Sequence, residues 1–143
     1  MPSLDNFPID WAHPVAVVTM PDEIDIANAE DVRDTLLAVL NRGVTTLIID
    51  LTDTTFCACA GAAAFARAHQ RARASGAEVR LVARAPIVRR LLALTSVDHL
   101  MPVFDSLAAA RPEPVRPGPS QTEPGTAPAP PPPSRSPRPA PGA

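Results

Sequence analysis

Lysine is absent from this chain; every cation is an arginine. Residues 1–110 hold nine of the thirteen arginines against thirteen aspartates and glutamates, a formal charge of −4. Nucleic-acid binding needs a basic face to neutralise phosphates, so this balance argues against it. No apolar run approaches the roughly 18–20 residues of a membrane-spanning helix, which argues against a membrane partner. The first fourteen residues contain Asp5 and Asp10 and no lysine or arginine, so they do not read as a signal peptide. A cytoplasmic protein is the expectation. Cysteine is scarce: Cys57 and Cys59, spaced C-x-C, are too close to staple a fold and fit a reducing compartment. No convergent acid, base and nucleophile can be assembled from the sequence, so neither an enzyme nor a cofactor is expected.

What is abundant is unevenly spread. Residues 111–143 hold 13 of the 19 prolines and no Leu, Ile, Phe or Trp. Such a segment cannot bury enough apolar surface to offset its ordering entropy, so it reads as a disordered Pro-rich tail, a spacer rather than a ligand for a proline-binding module. Residues 1–110 remain for one domain.

Within that domain the apolar pattern changes period several times. Residues 14–20 form a β-branched run that reads as a strand buried on both faces, with a further strand expected around residues 6–11. An acidic turn, Asp22, Glu23 and Asp25, leads to Asn28, a good helix N-cap with Glu30 and Asp31 in the first turn. Val32, Leu36, Val39 and Leu40 then recur as the stripe of an amphipathic helix, which Gly43 ends as a C′ residue. Thr46–Leu51 is a strand, residues 56–61 a loop, and residues 62–75 an Ala-rich helix with Phe65, Ala68 and Ala72 inward and Arg67, Arg71 and Arg73 outward. Gly76 stops it. Glu78–Ala83 is a strand, and Pro86 opens a helix carrying Val88, Leu91, Leu92 and Thr95. A short strand around residues 100–103 and a helix over residues 105–110 complete the series. Alternation of strand and helix argues an α/β fold with parallel crossovers, with four to five strands and about four helices.

The segment Phe56, Cys57, Ala58, Cys59, Ala60, Gly61 lies at a strand-to-helix junction. Backbone N–H groups at a helix start favour negative charge and can stabilise a phosphate on a capping side chain. A kinase needs a hydroxyl there, commonly with a carboxylate to orient it. Here two thiols and two alanines occupy the positions, and neither Cys59 nor Ala58 can do that work.

Five places in the sequence resemble the STAS domain of bacterial anti-sigma factor antagonists. Glu23, Ile24 and Asp25 with Asn28 and Ala29 are similar to its Gly-Glu-Leu-Asp-x-x-Thr-Ala segment, with Asp22 in place of the glycine. Leu47, Ile48, Ile49, Asp50 and Leu51 resemble its central strand. Residues 55–61 resemble its Phe-x-Asp-Ser-x-Gly phosphorylation loop, matching at Phe56 and Gly61. Residues 86–92 and 94–98 resemble its third helix and the turn after it. The resemblance implies a STAS fold over residues 1–110 and a protein-binding role in sigma-factor regulation. The implied partner is an anti-sigma factor of the serine-kinase type. Carried over by position, the phospho-acceptor falls on Cys59 and the aspartate before it on Ala58, so serine phosphorylation at this loop is not expected. The implied partner surface comprises Asp22, Glu23, Asp25, Ala58, Cys59, Ala60 and Gly61.

Other readings attach to the same residues. Cys59 could be a small half-buried core residue, or the reactive thiol of a redox sensor, since a helix start lowers thiol pKa. Cys57 is expected to point inward. A ligand-binding STAS module is a further option, although no polar cluster points to a ligand. Cys57, Cys59 and His69 lack the paired spacing and the fourth ligand of a structural zinc site, so no metal is expected. His69 would lie about 15 Å along the helix from Cys59, too far for a Cys/His dyad. The acidic turn is explained by helix-start electrostatics as well as by a partner. Thr52, Thr54 and Thr55 read as turn formers.

Overall fold

A computed structural model describes residues 7–112; of the expected tail, residues 111–143, all but the first two lie outside the described residues. In chain order the elements are β1 (Ile9–Ala12), β2 (Val15–Thr19), β3 (Glu23–Ile24), α1 (Ala29–Leu40), β4 (Thr46–Leu51), β5 (Phe56–Cys57) and α2 (Cys59–Ser75). Then follow β6 (Glu78–Ala83), α3 (Pro86–Leu94), α4 (Val97–Leu100), β7 (Val103–Phe104) and α5 (Leu107–Ala110). Five strands form one mixed sheet in the order β1-β2-β4-β6-β7. The β1–β2 pair is antiparallel and the other three pairs are parallel.

Three consecutive crossovers step across the sheet in one direction. Crossovers of one hand stepping one way put their helices on one face. The core follows this: Ala16, Val18, Leu47, Ile49, Leu81 and Ala83 face the buried stripes of α1, α2, α3 and α4. The alternate residues Val17, Ile48 and Val82 face the other side, where Ala110 and Leu107 of α5 pack on them. Both faces of β2 are therefore covered, as its unbroken apolar run predicts.

The α1 stripe is wholly buried at Val32, Leu36, Val39 and Leu40. In α2 the inward residues are Gly61, Ala62, Ala64, Phe65, Ala68 and Ala72. Small side chains let this helix lie close to its neighbours. Gly76 caps α2 in the left-handed region at φ 80°, where a Cβ would be strained. Pro86 opens α3 at its first turn, with Val88 and Leu92 buried.

Several expectations change. The described residues hold five helices where about four were expected, because residues 97–100 form a helical turn and the last strand begins only at Val103. Ser96, at φ 64°, reverses the chain there; its left-handed backbone left no mark in the apolar pattern. The last helix starts at Leu107, where the Ser106 hydroxyl accepts from the Ala109 N–H and fixes the boundary. α1 ends at Leu40 with Asn41 as C-cap, and Gly43 reverses the chain two residues later. The acidic turn and the loop over residues 56–61 also hold a two-stranded parallel sheet, β3 with β5, too short for periodicity to reveal.

Candidate functional site

The small sheet determines the site's geometry. Glu23 pairs with Phe56 and Ile24 with Cys57, so two segments more than thirty residues apart lie side by side. The Ala58 N–H donates to the Ile24 carbonyl at 2.8 Å, and the Thr55 N–H donates to the Asp22 carbonyl at 2.8 Å. Two hydroxyls extend the seam. Thr54 Oγ1 donates to the Pro21 carbonyl at 2.8 Å, and Thr55 Oγ1 donates to Asp22 Oδ1 at 2.8 Å. The threonines thus tie two loops together, where sequence assigned them only a local turn.

Asp25 and Asn28 brace the acidic turn from within. Asp25 Oδ1 accepts from the N–H groups of Ala27 and Asn28, at 3.0 and 3.1 Å. Asn28 Oδ1 accepts from the Asp25 N–H at 2.9 Å, and its Nδ2 donates to the Glu23 carbonyl at 2.9 Å. Asn28 occupies the N-cap position but makes no capping bond to the helix. It reaches backward instead, and Asp25 supplies the capping oxygen one turn earlier. Exchanges of this kind satisfy donors that a helix start leaves unpaired. Asp22 and Glu23 are exposed and Asp25 is half-buried.

Ala58 is the N-cap of α2, extended at φ −79° and ψ 165°, and has no side chain to cap the first turn. The helix begins three residues earlier than its apolar pattern suggests, so Cys59 and Ala60 form its first turn. Cys59 is exposed and Cys57 is buried. The exposure removes the half-buried core reading of Cys59, because the first helical position points away from the sheet. Cys57 turns inward as expected and is 4% exposed. Burial, with the neighbouring Cys59 adding to it, pushes its thiol up to about 11, so it stays protonated at neutral pH.

Gly61 is required by packing. A Cβ there would lie 2.7 Å from Cys57 Sγ and 2.7 Å from Ile24 Cγ2. The first turn of α2 therefore rests directly on both strands of the small sheet. All seven residues of the expected partner surface, Asp22, Glu23, Asp25, Ala58, Cys59, Ala60 and Gly61, belong to this one structural unit. Gly61 is buried and supports the others.

The sequence reading missed two exposed apolar side chains here. Ile26 is 84% exposed at the tip of the acidic turn and Phe56 is 43% exposed on β5. Ile26 also lines a groove of about 690 Å³ between α1 and α2, with Ala29, Leu37, Ala60 and Ala63. An isoleucine outside the α1 stripe and among carboxylates was the available signal. Among the described residues no three His, Cys, Asp or Glu side chains gather as metal ligands. No helix among them is long and apolar enough to cross a membrane.

The candidate site is an acidic rim beside an uncapped helix start, with no hydroxyl at its tip. Known proteins share this fold. A Mycobacterium tuberculosis protein named as an anti-anti-sigma factor is 34% identical over 91 residues, 62% of this chain and 61% of that protein. The match therefore spans about three fifths of that relative. The crystal structure of an anti-sigma factor antagonist from Mycobacterium paratuberculosis superposes with a TM-score of 0.67 at 27% identity, covering 73% of this chain and 89% of that one. A Thermotoga maritima protein, also named as an anti-sigma factor antagonist, gives 0.68 at 23% identity, covering 75% and 92%, a likeness of fold alone. The family model of the STAS domain matches residues 8–110, the whole sheet and all five helices, and the chain belongs to the STAS domain family.

Proposed function

We propose that this protein is an anti-sigma factor antagonist: a binding protein, not an enzyme, that regulates a sigma factor by holding its anti-sigma factor. The partner docks on the rim of Asp22, Glu23 and Asp25 and on the start of α2 at Ala58, Cys59 and Ala60, which the buried Gly61 supports from beneath. One observation carries this reading: the β3–β5 pairing, which fuses the two segments into one exposed unit. The two mycobacterial relatives named for the same activity support it. A carboxylate rim steers a basic partner and sets register more than it adds affinity.

The partner is an anti-sigma factor of the serine-kinase type, met in the cytoplasm, and its grip is not released by ATP. Cys59 offers sulfur, and Ala58 offers no carboxylate to orient a hydroxyl. The test uses the full chain, the anti-sigma kinase of the same cell, and Mg-ATP. The complex is expected to survive ATP, with no phosphopeptide covering residues 56–67. Cys59→Ser together with Ala58→Asp is expected to gain phosphate and release the kinase. Dissociation of the unmodified complex by ATP defeats the phosphate-independent reading, and failure of Cys59→Arg to weaken a proven complex defeats the mapped surface.

A second reading rests on the exposure of Cys59: a thiol-based redox sensor. It requires native-state alkylation of Cys59 much faster than that of an unperturbed thiol, together with loss of partner binding on oxidation.

A further inference from the structure

α3 carries more apolar surface than the fold uses. Its buried residues are Val88 and Leu92, which hold it against its neighbours in the core. A second apolar row, Ile87, Leu91 and Leu94, runs at i, i+4 and i+7 along the same helix. Ile87 is 57% exposed, Leu94 is 72% exposed and Leu91 is half-buried. Beyond the helix, Leu100 of α4 is exposed too. A row of large exposed side chains at helical spacing is the pattern by which one helix recognises another.

The charge around this row says what covers it. Arg84, Arg89 and Arg90 are exposed, and residues 79–97 contain no carboxylate. Arg89 is engaged, donating to the Ala83 carbonyl and to Asp105. Arg84 and Arg90 make no ion pair among the described residues. With Asp105 committed to Arg89 and Asp98 lying beyond the helix in α4, the row is flanked by two arginines that have no ion pair among the described residues, on a domain whose formal charge is −4. A second copy docking α3 on α3 about a two-fold axis would bring arginines onto arginines. The chain's own residues 113–143 fit no better: they hold three arginines, two glutamates and no Leu, Ile, Phe or Trp, so they lack both the apolar anchors and the negative charge.

We propose that the row Ile87, Leu91 and Leu94, exposed at both ends with Leu91 half-buried against the core between them, docks an acidic amphipathic helix of a partner protein, with Arg84 and Arg90 beside the row. Leucine-type side chains of that helix cover the row, and its flanking carboxylates meet the Arg84 and Arg90 guanidinium groups. Arginine suits such pairing because its planar fork binds a carboxylate through two N–H groups. The proposal does not rest on the anti-sigma reading; α3 packs beside β5 of the Cys59 loop, so experiment must separate the two surfaces.

The test uses the full chain and two stapled helical peptides, one with a leucine row flanked by glutamates and one with lysines replacing the glutamates. Binding is read by fluorescence anisotropy, and self-association by sedimentation. The glutamate peptide is expected to bind and the lysine peptide not. Leu94→Glu is expected to weaken binding about tenfold or more, as loss of an anchor does. Arg90→Glu, which touches no core, is expected to weaken the glutamate peptide and favour the lysine one. Cys59→Arg leaves both results unchanged, which separates this surface from the loop. Equal binding of the two peptides, binding of neither at millimolar concentration, or indifference to both α3 variants overturns the proposal. So does self-association of the chain that Leu94→Glu dissolves, since a second copy is then the occupant.

Discussion

The Thr55 hydroxyl donates to an Asp22 carboxylate oxygen at 2.8 Å, joining the loop before β5 to the turn before β3. The same residues share a backbone bond, Thr55 N–H to the Asp22 carbonyl, so the acidic rim and the α2 start are held as one body. Both side chains are exposed, and water competes for them. Thr55→Val and Asp22→Ala should each lower stability by about 0.5–1 kcal/mol. The double variant should cost little more than either single one, because both remove the same bond. Urea denaturation of the four proteins checks this; strictly additive losses would mean that the side-chain bond contributes nothing.

Gly61→Ala tests the seating of α2. The added methyl would meet a sulfur and a methyl carbon at 2.7 Å, so either α2 or the small sheet must shift. Overpacking of this kind costs about 1–3 kcal/mol. Part of the loss should return in Gly61→Ala with Cys57→Ala, which removes one of the two obstructing atoms and leaves Ile24. The melting temperatures of the single and double variants decide it, and a Gly61→Ala protein as stable as the parent rules out the close approach.

Thiol access should divide cleanly between the two cysteines. Cys59 is exposed at the first helical position, while Cys57 is buried with its Sγ 3.5 Å from the Ala58 carbonyl. The native protein should therefore give one thiol to a disulfide reagent quickly and a second only as it unfolds. Cys59→Ala should abolish the fast phase. A fast reaction of both thiols in the folded state would contradict the inward turn of Cys57.

The order of strands and helices was legible because burial imposes period: the α1 stripe and the two-sided run of β2 are dictated by what they face. The STAS resemblance was legible in the motifs around Glu23, Asp50, Gly61 and Pro86. What escaped was set by contacts between distant segments or by single backbone angles. Two-residue strands such as β3 and β5 have no period to read. Ser96 adopts its left-handed conformation with no sequence signal, so the helical turn α4 escapes the pattern and the strand after it is expected too early, around residues 100–103. Asn28 has the identity of an N-cap, yet its amide is recruited by Glu23 and Asp25. The exposed row on α3 was seen only as a helix, because sequence shows apolar spacing but not which of two rows the core takes.

The absence of lysine gives the alkaline side of the stability curve an unusually simple form. The chain also has no tyrosine, so neither of these residue types contributes a titration between pH 8 and the arginine range. Cys57 ionises near its ordinary value of 9.0 when unfolded and at about 11 when folded. Between these values the unfolded chain has released a proton that the folded chain still holds. Stability therefore falls as pH rises through that window, having been constant below it with respect to this group. Each pH unit of separation is worth about 1.4 kcal/mol, so the loss approaches about 2–3 kcal/mol by pH 11. Cys57→Ala should flatten this limb at some cost in packing. Cys59→Ala should leave it nearly intact, because burial is the larger cause of the shift. Urea midpoints at pH 8, 9, 10 and 11 for the three proteins measure the slope; the same alkaline loss in Cys57→Ala would show that the buried thiol is not its source.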